Sequence, residues 1–262
     1  NGTFSGNRGP DWWGVFPERE DRGFGIYDAN ASSWDAIAHD APYYLIFKSA
    51  GNDRNDNAPG GGSTYYFISN GNWVAATYDA ETDPFNDGYD NGGYDTISYR
   101  GNAKNIVTVG AVNDAVSGGM RSPAAGTMAS FSSWGPTDDG RIKPDIVANG
   151  VSMFSTDSDS DTDYTTLSGT SMSSPNAAGS ATLLADLYCK AFSNQVIRAS
   201  TLKALILHSA DDFGSAGPDY RFGWGLMNTK AAADLILRQT NAASAFTINE
   251  FRLQSVNSND TC

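Results

Sequence analysis

The chain has 262 residues and sets 17 Lys plus Arg against 30 Asp plus Glu, a formal net charge of −13. That balance excludes a protein that works through a general phosphate-neutralising surface, so no nucleic-acid partner is expected. Hydrophobic residues at 40% and aromatics at 12% supply one large core and exclude a disordered chain, and no run approaches the roughly 20 apolar residues of a membrane span.

The first residues, to about Ala29, are punctuated by Pro10, Gly14, Pro17, Gly23 and Gly25 and read as surface loop. The start at Asn1 reads as a processed or excised piece whose targeting information lay upstream. Trp34, Ile37 and Ala38 give helical spacing over Ala31–Asp40, stopped by Pro42. The unbroken apolar run Tyr43–Phe47, closed by Ser49-Ala50-Gly51-Asn52, predicts a strand covered on both faces, as in a βαβ unit. Residues 53–100 are polar and Gly-rich, a long loop with a hairpin around Tyr65–Ile68 and Trp73–Tyr78. Short sheet elements follow at Asn105–Val112, Met128–Ser132, Pro144–Val147 and Tyr164–Leu167. Helices are predicted over Pro175–Phe192, Ser200–Ala210 and Asn228–Gln239. The small residues Ala177, Ala178, Gly179, Ser180 and Ala181 in the first of these allow close approach to a sheet. After Thr240 the pattern changes to short strand-like segments, so residues 1–240 are read as one unit and 241–262 as a linker and the start of a β-rich domain.

Two cysteines make no disulfide framework, and neither has a metal-ligand partner in sequence. Cys189, after Leu183, Leu184 and Leu187, reads as a small core hydrophobe, and Cys262 is undecided.

The string Gly169-Thr170-Ser171-Met172-Ser173-Ser174-Pro175 brings a serine to the first turn of a helix, where unpaired amides and the helix dipole favour negative charge on oxygen. Pro175 is compatible with a helix start, where its missing N–H would be unpaired. Alone, such a serine reads as an N-cap. The match extends further: Ser49–Asn52 gives S-A-G-N, Val109–Val112 gives V-G-A-V, and Gly223–Asn228 gives a G-W-G-L-x-N turn. Together, in this order, these segments resemble the subtilisin-like serine proteases, the subtilase or peptidase S8 family. The resemblance implies a three-layer αβα fold with a mainly parallel sheet, here incomplete, and endopeptide hydrolysis of a polypeptide substrate. It further implies Ser171 as the nucleophile that forms an acyl-enzyme and Asn52 as a side-chain donor of the oxyanion hole, paired with the backbone N–H of Ser171. Ser49, Ala50 and Gly51, with Ser168, Gly169 and Thr170, would wall the substrate cleft. Two positions depart from the family pattern: Asn176 after Pro175, where His is frequent, and Asn149-Gly150, where Pro-Gly is usual. Both are read as local packing and turn variations.

A serine hydroxyl needs a base, itself oriented by a third group, and the family orders the triad Asp, His, Ser along the chain. Neither a D-x-G-like turn in that role nor H-G-T-H occurs, and the only histidines are His39 and His208. His39 precedes the Tyr43–Phe47 strand whereas Asn52 follows it, which separates the two by roughly 20 Å at about 3.3 Å per residue. His208 is not excluded by distance but has no matched Asp. The chain is therefore read as the C-terminal portion of a subtilase catalytic domain, with Asp and His supplied by a separate N-terminal fragment. The alternative is a catalytically inactive subtilase-like binding or structural protein. No cofactor is required. The acidic stretches Asp83–Asp95 and Asp157–Asp163 carry the hard oxygen ligands that suit structural calcium, and the composition suits a secreted or cell-surface protein.

Overall fold

The structure, a computed structural model, describes residues 11–12, 21–56, 58–83 and 93–240. In chain order these form β1 (Asp11–Trp12), α1 (Ala29–Asp40), β2 (Phe47–Ser49), β3 (Thr64–Ser69), β4 (Asn72–Thr77), β5 (Val107–Val112), β6 (Val116–Ser117), β7 (Met120–Arg121), β8 (Ile146–Asn149), β9 (Met153–Thr156), β10 (Tyr164–Leu167), α2 (Thr170–Ala191), α3 (Ala199–His208) and α4 (Thr229–Thr240). The segment 241–262, with Cys262 and the domain boundary drawn there, lies outside the described residues, as does most of the acidic stretch 83–95.

A parallel sheet in the order β2-β5-β8 forms the centre. All six residues of β5, Val-Thr-Val-Gly-Ala-Val, are buried, as expected of a parallel strand covered on both faces. Alternation along the strands sorts the layers. Val107 and Val109 of β5 and Ile146 and Ala148 of β8 join Ala177, Ala181 and Leu184 of α2, Leu205 of α3 and Ile236 of α4, with Leu45 and Phe47 packed alongside. On the opposite face Ile106 and Ile46 meet Ala31 and Trp34 of α1. Helices therefore cover both faces, the αβα arrangement expected from the sequence. Each fully buried aliphatic side chain in this core contributes about 1.5–3 kcal/mol. Ala177 and Ala181 let the axis of α2 lie close to the sheet, and Ser173 fixes it there, its hydroxyl lying 2.6 Å from the carbonyl oxygen of Gly110 and 3.0 Å from that of Ala148.

A buried ionic cluster ties the sheet to α3. Asp145 accepts from Lys143 Nζ (2.6 Å) and the Thr108 amide (2.7 Å) through Oδ2, and meets Lys203 Nζ at 2.9 Å through Oδ1. The expected hairpin is present as β3 and β4, paired from Thr64 with Thr77 to Ser69 with Asn72, and β10 pairs with β9.

Four expectations are corrected. Strand pairing after Pro42 begins at Phe47, with the Ile46 carbonyl accepting from the Val107 amide (2.8 Å), so Tyr43 to Leu45 approach the sheet without joining its ladder. Met128–Ser132 is no strand; a single bridge joins Met128 to Val112. The long helix starts at Thr170, five residues before Pro175, which therefore lies inside it. Pro175 has no N–H to donate to the carbonyl four residues back, that of Ser171, so the ring leaves a gap in the ladder just below the serine. Cys189 is part-exposed, because it falls off the stripe defined by Ala177, Ala181 and Leu184. Among the described residues no helix is long and apolar enough to cross a membrane.

Candidate active site

The chain leaves β2 through Ala50, whose amide extends the ladder to the Val109 carbonyl (3.0 Å). Gly51 follows with φ +124°, where a Cβ would stand 2.7 Å from Ser133 Oγ, so the turn requires glycine. That turn delivers Asn52 to the start of α2. Gly150 performs the matching service after β8: an added Cβ would lie 2.8 Å from both the Gly169 carbonyl oxygen and Ser173 Cβ. The start of α2 is thereby held against the sheet, with Gly169 N donating to the Gly150 carbonyl at 2.8 Å.

Thr170 joins the two segments. Asn52 Oδ1 accepts from the Thr170 amide and from its hydroxyl, both at 2.9 Å, and the same hydroxyl accepts from the Gly51 amide at 3.2 Å. With two donors on Oδ1 the carboxamide has one orientation, and Nδ2 is the atom left to donate elsewhere. Among the described residues no acceptor engages Asn52 Nδ2 or the amide of Ser171, whereas the Met172 and Ser173 amides bond back to the Gly169 carbonyl. Two open donors thus flank one point, Asn52 Nδ2 at 3.7 Å and the Ser171 amide at 3.6 Å from where a Cβ on Gly169 would stand, and Ser171 is exposed in the first turn of a 22-residue helix. Dipole and donors act in the same sense, favouring a developing oxyanion.

The other residues singled out in the sequence sort by burial. Ala50 and Thr170 are fully buried, so they position their neighbours and present no side chain to a cleft. Gly169 is also buried, Ser49 and Gly51 are half-buried, and Ser168 is exposed with its hydroxyl accepting from the Ser152 amide at 2.9 Å. Lys48 donates to Ser49 O and Oγ at 2.8 and 2.9 Å, and its burial pulls the ammonium below the usual lysine range.

Asp53 escaped the sequence reading. Its burial, reinforced by Asp56, raises the carboxyl above the usual range; it accepts from the Asn52 amide, and its own amide donates to Ser133 Oγ. Ser133 pairs its amide with the Gly51 carbonyl at 3.0 Å, so Phe131-Ser132-Ser133-Trp134 backs the turn. The only legible signal was a polar pair beside an aromatic in a loop, which by itself specifies nothing. Neither histidine joins the site by any contact recorded for Ser171. His39 is exposed at the end of α1 against Asp40 (3.2 Å), and His208 ends α3. Among the described residues no three His, Cys, Asp or Glu side chains converge to hold a metal, and Asp157–Asp163 is closed by a backbone bond between its own ends.

A parallel α/β sheet that presents a serine at a helix tip near an oriented carboxamide carries two of the parts that acyl-transfer sites use, a hydroxyl and oxyanion donors. The family model of the subtilases matches residues 13–225, and the chain belongs to that family. It is 33% identical over 147 residues to the serine protease AprX of Bacillus subtilis (strain 168), covering 52% of this chain and 31% of that protein. Subtilisin DY of Bacillus licheniformis is 33% identical over 142 residues, 54% of this chain and 42% of the relative. The chain thus spans less than half the length of either. Among solved structures, the patellamide maturation protease PatA superposes with a TM-score of 0.54 at 19% identity, over 82% of this chain and 59% of the other. The prenylagaramide maturation protease PagA gives 0.53 at 19%, over 81% and 57%. These two speak to the fold alone.

Proposed function

We propose that the chain is the C-terminal portion of a serine endopeptidase catalytic domain and cleaves polypeptides through an acyl-enzyme on Ser171. Ser171 Oγ attacks the scissile carbonyl carbon and gives its proton to a histidine base, and the carbonyl oxygen, now negative, is held by the Ser171 amide and Asn52 Nδ2. The C–N bond breaks as the base protonates the leaving amine, and water then hydrolyses the ester. The histidine and its orienting Asp come from an N-terminal portion of the same catalytic domain, docked beside this chain. An extracellular location fits the acidic, Asn- and Gly-rich composition, and the acidic stretches Asp83–Asp95 and Asp157–Asp163 would be the source of oxygen ligands for structural calcium.

The observation that supports this reading is the double clamp on Asn52 Oδ1, which leaves Nδ2 as the open donor flanking the same point at Gly169 as the Ser171 amide. A fluorophosphonate probe applied to the native material tests it, with mass spectrometry of the labelled peptide and of any co-purifying chain. Stoichiometric labelling at Ser171, abolished in Ser171→Ala, is expected. In Asn52→Leu, turnover falls about 10²–10³-fold, the general magnitude for loss of one oxyanion donor. Absence of labelling on folded protein would favour the non-catalytic binding or structural alternative.

A further inference from the structure

The flank of α2 away from Ser171 carries a second polar concavity. Asn176 and Ser180, one turn apart, line a cavity of about 190 Å3 with Asn149 at the end of β8, Asn113 and Asp114 beyond β5, and Arg121 of β7. Asn149 and Asn176 are the two departures from the family pattern, read from sequence as unrelated local variations; in space they share this one cavity. Asn149, where Pro is usual, adds a carboxamide donor and acceptor to the concavity, and Asn176 sets a second, shorter hydrogen-bonding side chain where His is frequent.

We propose that this cavity binds a neutral polyhydroxy molecule the size of a single sugar ring. The hydrogen-bonding inventory supports that class. Asn113 Oδ1 is taken by the Thr127 amide and Asn149 Oδ1 by the Val151 amide, so each retains an NH2 group. Asn176 brings a carboxamide and Ser180 a hydroxyl to the lining. Donors and acceptors are therefore both on offer, and planar amide, carboxylate and guanidinium groups can each reach two adjacent hydroxyls. Charge opposes an anion. Arg121 is already neutralised by Asp211, with Nε at 2.9 Å and an Nη at 2.6 Å from one carboxylate oxygen. Asp114 in the lining disfavours an anion, and Arg121, held by Asp211, is not free to draw one in. The cavity lies beyond the carboxyl ends of β5 and β8, where open parallel sheets form ligand crevices. Its volume would otherwise hold about six water molecules.

Saturation-transfer NMR on the protein as it purifies, with any companion chain retained, decides the matter using D-glucose, myo-inositol and acetate as probes. Transfer to at least one of the two polyols at millimolar concentration, and none to acetate, is expected. Asn176→His, which restores the residue frequent in the family, and Ser180→Val should each weaken that polyol's affinity by about tenfold or more with the far-UV circular dichroism unchanged. Failure of both polyols to bind, acetate binding in their place, or polyol binding undiminished in both variants would overturn the proposal.

Discussion

Replacing Thr170 with Val keeps the shape of the side chain but removes the hydroxyl that donates to Asn52 Oδ1 and accepts from the Gly51 amide. Both partners then lose a bond in a part-buried setting, at about 0.5–1.5 kcal/mol. A lowered urea midpoint is expected, together with a fall in kcat at nearly constant KM, because the rotated carboxamide serves only the transition state. Proline at the helix ends would not give that split. Far from the serine, Lys143 offers a pH signature. Burial pulls its ammonium down to about 8 from the ordinary 10.5, against the pull of Asp145. Between those values the unfolded chain keeps a proton that the folded chain has released, so this group's contribution to stability rises as pH climbs through the window. Tyr65, raised to about 12 by burial and then by Asp83, acts oppositely, its contribution being lost as pH climbs above 10. Urea midpoints measured from pH 8 to 10 should therefore climb more steeply in the wild type than in Lys143→Met; parallel profiles would remove Lys143 as the cause.

Helix α2 shows what can be read along the chain and what cannot. Its small residues and its buried stripe were visible at Ala177, Ala181 and Leu184, and the β-branched run of β5 was equally plain. The start of α2 is only half legible: the motif places Ser171 in a first turn while the helical spacing begins at Pro175, and the amides of Thr170, Met172 and Ser173, donating to Asn52 Oδ1 and the Gly169 carbonyl, set the start at Thr170. The bond between Asn52 and Thr170 joins positions 118 apart, a separation that no local pattern encodes. Met128 was misjudged for the converse reason, since one bridge to Val112 satisfies an apolar segment that looked like a strand. Close approach is the property on which α2 depends, so Ala177→Leu should destabilise by about 1–3 kcal/mol or more through overpacking against β5 and β8, seen as a lower denaturation midpoint. The same substitution at exposed Gly179 has open space around it and should leave packing unstrained.

The central sheet as described stops at β2, and its outer edge has no neighbour among the described residues. Tyr43 and Tyr44 just before it are 57% and 64% exposed, and Leu183 on α2 is 68% exposed. An open parallel edge with large apolar side chains beside it favours pairing with another segment or aggregation. Expressed by itself, the chain should elute in size-exclusion chromatography as soluble aggregate or oligomer. Co-expression with a subtilase N-terminal portion bearing H-G-T-H should yield a one-to-one complex; a monodisperse monomer that unfolds cooperatively without a partner would refute this.

One covalent fact about the clamp reaches further than its energy. Thr170 is bonded in sequence to Ser171, so the group that aims the carboxamide and the proposed nucleophile travel on a single peptide unit. If the helix slides or tilts by a fraction of an ångström, nucleophile and donor are carried along together, and their mutual alignment is insulated from motions elsewhere in the fold. Such a self-registering pair tolerates remodelling of distant loops, and it confines the tight mechanical tolerance to the few atoms between Asn52 and Ser171.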